Sequence, residues 1–263
     1  MEASRLFLSS IIKEKICLNL NFEDVVKLRD ALGLLSLKCP ILVQDSTSQK
    51  QIILTGVNPT TIATYELIRI YGLNLALIEA AKNDQNSIIQ TLIDAGVDVN
   101  EANRYGDTAL IWASANGHNL VVQTLIKAGA NIEAVDQYEK TSLMWASENG
   151  RDSVVQTLIA AGANIEAVNQ QGTTALILAS AMGHNLVVQA LINAKANVNL
   201  ADQDGETALM LASANGQDSV VQTLINAKAN VFAHGLWGQT ALALASSGSH
   251  GQIIQYLKNA GAH

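Results

Sequence analysis

Cysteine is nearly absent: the 263 residues contain two, Cys17 and Cys39. Two thiolates cannot close a structural zinc site by themselves, because such sites take four ligands. One disulfide is formally available, but nothing in the sequence points to an oxidising compartment. Histidine is missing from the first 117 residues, so neither cysteine has an obvious base partner in its own region. No apolar run approaches the roughly 20 residues needed to span a bilayer. The stretch holding Leu6, Phe7, Leu8, Ile11 and Ile12 is short and has neither a basic start nor a clean small-residue cleavage site. There is no glycine-rich phosphate loop; Thr55-Gly56-Val57-Asn58 is too short to serve as one. Asn58-Pro59-Thr60 is no glycosylation acceptor, because proline sits in its middle. These absences argue against a redox, metal or nucleotide enzyme. The chain reads as soluble and cytoplasmic, with effector-type secretion into a host as the other option. No cofactor, no metal and no membrane contact are expected.

Apolar residues are plentiful, 49% against 15% charged, so the chain can bury a core and is not disordered. The net charge of −7 is unevenly spread. Residues 1–73 hold eight Lys and Arg against seven Asp and Glu, a net of +1. Residues 74–263 hold eight against sixteen, a net of −8. An acidic surface repels phosphate backbones, which disfavours nucleic acid and steers basic partners toward it.

One pattern organises most of the sequence. Thr108-Ala109-Leu110-Ile111-Trp112-Ala113-Ser114 returns from Thr141, Thr174, Thr207 and Thr240, always 33 residues on. A second block, Val121-Val122-Gln123-Thr124-Leu125-Ile126, recurs from Val154, Val187, Val220 and, altered, Ile253. A third, Gly129-Ala130-Asn131-Ile132-Glu133, recurs from Gly162. A fixed period of this size signals a solenoid, in which each unit buries its apolar face against the next. Thr108 and its equivalents are placed to cap a helix. Asn103, Asp136, Asn169 and Asp202 carry the short side chains of a turn. Leu110, Ala113, Val122, Leu125 and Ile126 form the stripe expected to pack between neighbours. Gly96, Gly129 and Gly162 end the second helix as left-handed caps. Lys195 and Lys228 stand in that column, each at a cost on the order of 1 kcal/mol if it keeps the conformation. The C-terminal units are therefore expected to fray first.

These residues resemble the ankyrin repeat, whose unit is a turn, a short helix, a longer antiparallel helix and a loop. The resemblance covers residues 74–263. It implies a mainly α fold: an ankyrin-repeat solenoid of about six helix-turn-helix units. The units run 74–102, 103–135, 136–168, 169–201, 202–234 and 235–263, the first and last being atypical caps. The sequence departs from the family's Thr-Pro-Leu-His start. Alanine or serine replaces proline, and Ile111, Met144, Ile177, Met210 and Ala243 replace histidine.

Residues 1–73 lack the period and read as a small α/β domain in the order αβαββα. Helices are expected over 2–12, 22–35 and 59–70. Strands are expected at 16–20, 40–43 and 52–54, the last two forming a hairpin across the turn residues Asp45 to Ser48. This domain reads as an interaction or capping module.

By resemblance, partners bind the concave face built from turn tips and inner-helix surfaces. The resemblance makes this a non-enzymatic protein–protein interaction scaffold, whose partner segment is basic or of mixed charge. The site residues are Arg104, Tyr105, Asp107, Tyr138, Lys140, Glu148, Gln171, Asp204 and Trp237. Three of five tips carry an aromatic, and aromatics and arginine are enriched at hot spots; the competing reading packs them along neighbouring turns. Trp112 and Trp145 share a column with Leu178, Leu211 and Leu244, which reads as core between inner and outer helices. Ile111, Met144, Ile177 and Met210 flank it, either as an apolar floor to the concave face or partly buried. His118, His184 and His250 alternate with Arg151 and Gln217, which reads as structural support for the loop between helices and not as a metal set. A rival reading gives the activity to residues 1–73, as a regulatory or ligand-binding domain targeted by the repeats.

Overall fold

The structure is a computed structural model that describes residues 41–46, 49–54 and 75–263. Strands β1 (Ile41–Ser46) and β2 (Gln49–Leu54) pair antiparallel, Ile41 opposite Leu54 and Ser46 opposite Gln49. This is the expected hairpin, with both strands reaching further toward the turn. The expected strand at 16–20, the three expected helices of residues 1–73 and both cysteines lie outside the described residues.

The remainder is helical. Helix α1 covers 75–82, followed by α2 (Asn86–Asp94), α3 (Ala109–Asn116), α4 (Asn119–Lys127), α5 (Ser142–Glu148) and α6 (Asp152–Ala160). Then come α7 (Ala175–Met182), α8 (Asn185–Asn193), α9 (Ala208–Ala214), α10 (Asp218–Asn226), α11 (Ala241–Ser247) and α12 (Gly251–Asn259). They form six antiparallel pairs. Odd-numbered inner helices pack on one another from α3 to α11, and even-numbered outer helices do the same from α2 to α12.

The repeated threonine starts each inner helix from α3 onward. The Thr108, Thr141, Thr174, Thr207 and Thr240 hydroxyls accept from the backbone N–H three residues on, at 3.2–3.3 Å. Each removes one of the orphan donors that a helix start exposes, worth about 1 kcal/mol. The turn before it closes on one side-chain oxygen. Asp136 Oδ1 accepts from the N–H of Tyr138 at 2.8 Å and of Lys140 at 2.9 Å, and Asn103, Asn169 and Asp202 repeat the arrangement. Glu139 takes the tip position filled by Gly106, Gly172 and Gly205 elsewhere, at φ 59°.

The core runs the length of the stack. Leu110, Ala113, Val122 and Leu125, with their counterparts through α10, are almost wholly buried, each Leu or Val contributing roughly 1.5–3 kcal/mol. The two columns beside them resolve differently from the sequence expectation. Ile111, Met144, Ile177 and Met210 are fully buried between successive pairs and form no floor. Trp112, Trp145, Leu178, Leu211 and Leu244 are only half-buried, on the wall the inner helices present. The physical reason is that both sides of an inner helix meet another inner helix. The residue three after the threonine faces the next pair, and the residue four after it faces out of the stack.

Hydrogen bonds stitch the pairs together at four levels. At the tips, Gln137, Gln170, Gln203 and Leu236 N–H groups donate to the Tyr105, Tyr138, Gln171 and Asp204 carbonyls at 2.7–3.2 Å. Behind the inner helices, His118 is bonded to the Lys82 carbonyl, His184 to Glu148 and His250 to Ala214 at 2.9–3.1 Å; Arg151 donates to Ala115 at 3.1 Å. This column supports the inner-helix end of the preceding pair, 36 residues back, where a loop support within its own pair was expected. On the outer side, Thr124, Thr157 and Thr223 donate to Asn86, Asn119 and Asn185 at 2.7–2.8 Å. The loops add Glu133 and Glu166 carboxylates accepting from the Asn164 and Asn197 N–H groups.

Candidate protein-binding face

The tip hairpins line up because each is bonded to the next through its backbone. Tyr105 and Tyr138 therefore stand on adjacent, directly joined hairpins. Both are exposed, 41% and 50%, and are not packed away along the turns. Arg104 lies over the Tyr105 ring, 4.6 Å from its centroid, and donates to its hydroxyl. Arginine and tyrosine thus present one plane of stacked π-surface and charge.

Lys140 does not project from its turn. Its side chain is 14% exposed, with its ammonium 2.6 Å from Glu148 Oε2 and 4.2 Å from the Trp145 ring centroid. The Trp145 indole N–H donates to Asp136 Oδ2 at 2.9 Å. Asp136, Lys140, Trp145 and Glu148 form one connected set, in which Lys140 opposes Glu148 and Asp136 accepts from the Trp145 indole and backbone N–H groups. Next to it, Lys82 sits 4.8 Å above the Trp112 ring. Trp145 is thus a wall residue bridging turn and helix, where the sequence suggested core between inner and outer helices. Amphipathic rings with a polar atom at the edge favour such half-wet positions.

Asp107 accepts from the Asn103 amide at 2.9 Å and is part of its own turn. Gln171 and Asp204 are exposed, and their carbonyls carry the tip ladder onward. Asp204 belongs to a tip that carries three acids and no Lys or Arg. Asp202 uses Oδ1 to accept from the Asp204 and Glu206 N–H groups, leaving three acids on one turn. Burial first, then the Asp202 and Asp204 charges, push the Glu206 carboxyl upward from its ordinary value. Trp237 stands apart on the last tip, 84% exposed.

The structure therefore joins Arg104 to Tyr105 and Lys140 to Glu148, and sets Tyr138 beside Tyr105. It separates these from Asp204 and Trp237 along the stack. Trp145, Lys82 and the Asp202–Glu206 pair were not named as site residues from the sequence. The only available signal was a tryptophan four residues after the capping threonine, where three later units have leucine.

Among the described residues, no three His, Cys, Asp or Glu side chains gather where one metal ion could be held. No described helix is long and apolar enough to cross a membrane. A family model described as ankyrin repeats (3 copies) matches residues 77–169 and again 143–234, more than half of the chain. Comparison with curated proteins returns no match.

Proposed function

We propose that this chain, which belongs to the ankyrin-repeat family, is a non-enzymatic scaffold that holds a partner protein along the turn tips and inner-helix wall. Ankyrin repeats generally mediate protein–protein interaction and are typically not enzymes. The observation that carries the reading is the exposed pair Tyr105 and Tyr138 on hydrogen-bonded neighbouring tips, flanked by Arg104. Tyrosine offers a large contact area with few rotors to immobilise and a hydroxyl that hydrogen-bonds. The charge pattern supports a partner segment of mixed character. An apolar anchor would sit by the tyrosines and the half-buried Trp112 and Trp145. A Lys or Arg further along would meet Asp202, Asp204 and Glu206.

The test is capture of the partner by the intact chain, followed by calorimetry with Tyr105→Ala and Tyr138→Ala combined. Binding is expected to lose more than about 2 kcal/mol, as at a hot spot. The thermal melt is expected to move by less than about 0.5 kcal/mol, because both side chains are exposed. Intact binding with a sharply lowered melt would make the tyrosines packing residues and sink the assignment.

A further inference from the structure

Four tips turn on glycine and one does not. Gly106, Gly172, Gly205 and Gly238 stand at φ 74–80°, and Glu139 holds the same place at φ 59°. In this left-handed region a Cβ crowds the following carbonyl, so glycine is the residue that fits without strain. The turn itself does not call for a side chain there. Asn103, Asn169 and Asp202 close around glycine with the same hydrogen bonds that Asp136 makes around Glu139.

The Glu139 side chain returns nothing to the fold. The residue is exposed, and no described group donates to its carboxylate or pairs with it. Lys140 beside it is engaged with Glu148 and the Trp145 ring. The other left-handed residues that are not glycine differ in place. Asp84 has the His118 ring 3.7 Å away, Lys195 and Lys228 follow outer helices, and Ser249 lies between α11 and α12. Among the described residues, Glu139 alone combines this backbone with a tip. The residue before it is the exposed Tyr138, and its hairpin is joined to that of Arg104 and Tyr105 by the Gln137 N–H at 2.7 Å. Strain that the free chain does not use is retained for what lies outside the chain.

We propose that Glu139 determines specificity on the tip face, pairing with a Lys or Arg of the partner segment next to the apolar group seated at Tyr105 and Tyr138. This rests on the tips being the partner site. A carboxylate covered by a bound segment beside two tyrosine rings interacts more strongly with a cation than it does in water, and an acid or neutral residue in that place is refused.

The probe is a set of random peptides displayed on phage and selected on the intact chain, keeping those whose binding falls with Tyr105→Ala and Tyr138→Ala combined. These peptides are expected to carry a Lys or Arg close to an apolar residue. Glu139→Gly is expected to weaken them about tenfold or more while raising the thermal midpoint by about 1–2 °C. Glu139→Gln keeps the strained backbone, so it is expected to weaken binding similarly with the midpoint unmoved. Selection on Glu139→Lys is expected to put Asp or Glu where the basic residue stood. A raised midpoint with undiminished binding in Glu139→Gly overturns the proposal, as does full binding by Glu139→Gln. Peptides that need both tyrosines and ignore Glu139 leave the partner reading standing and remove this one; a selection that yields no tyrosine-dependent peptide removes both.

Discussion

Two halves of the stack share a backbone and differ in what fills it. In α3 to α6 the wall is tryptophan, with Lys82 and Lys140 over the indoles and Glu148 closing the charge. The outer helices there end on Gly129 and Gly162, both at φ 89°. In α7 to α10 the wall is leucine and the tip before α9 carries Asp202, Asp204 and Glu206. The outer helices there end on Lys195 and Lys228, at φ 74° and 68°. Caps, turn oxygens and tip ladder are the same in both. The backbone is therefore set by the invariant positions, and the two halves differ only in a few variable columns whose neighbours differ.

The sharpest way to break this contrast is to empty the wall. Trp145→Ala removes ring packing, the Lys140 contact and the bond to Asp136 together. It is expected to cost about 2–3 kcal/mol in chemical denaturation, below the value for a fully buried Trp. Leu211→Ala, four residues after its own capping threonine, is expected to cost about 1–2 kcal/mol. Equal losses would mean that the polar contacts around Trp145 add nothing to burial.

A smaller effect sharpens the second difference. The structure bears out the left-handed conformation expected of Lys195 and Lys228. Replacing both by glycine relieves strain at two helix ends, partly offset by a more flexible unfolded chain. The expected net gain is about 1 kcal/mol, or about 2–4 °C in the thermal midpoint. A lowered midpoint would show that the lysine side chains contribute more than the strain removes.

The smallest effect belongs to Glu206. Its carboxyl titrates above the ordinary glutamate value in the folded chain, so folding favours the protonated form. That contribution is complete below the unfolded value and is lost as pH rises through the folded one. Glu206→Gln is therefore expected to match wild type in acid and to be the more stable at neutral pH, where the like charges of Asp202 and Asp204 no longer oppose it. Wild type more stable than Glu206→Gln at pH 7 would remove the electrostatic contrast between the halves.

Much of this was legible in the sequence because the signals were backbone signals. A threonine starting each inner helix from α3 onward, a turn oxygen five residues earlier and a glycine ending four of the six outer helices need only their local chain. The wall was not legible. Ala109 to Asn116 is apolar on nearly every side, so its period does not say which residue faces a neighbour and which faces out. Trp112 is consequently expected in the core between inner and outer helices, and Ile111 stays open between a floor and partial burial. The bent-back position of Lys140 depends on Trp145 and Glu148 converging on it from the helix. The histidine column was recognised as structural, but its acceptors lie 36 residues earlier, beyond what a column of similar residues can reveal.

The bonds that stitch the pairs together also have a temporal sense. Gln137 to Leu236 at the tips, Arg151 behind the inner helices, Thr124 to Thr223 outside and the Asn164 and Asn197 loops all donate to groups earlier in the chain. Asn100, whose amide donates forward to the Gly129 carbonyl at 3.3 Å, runs the other way. Synthesis releases the acceptors first, so each helix pair leaving the ribosome meets a finished surface that lacks only its donors. A nascent chain stopped between pairs exposes carbonyls, which water readily satisfies, in place of stranded N–H groups. The stack can lengthen during translation, one pair at a time, without holding an unfinished core open until the chain is complete.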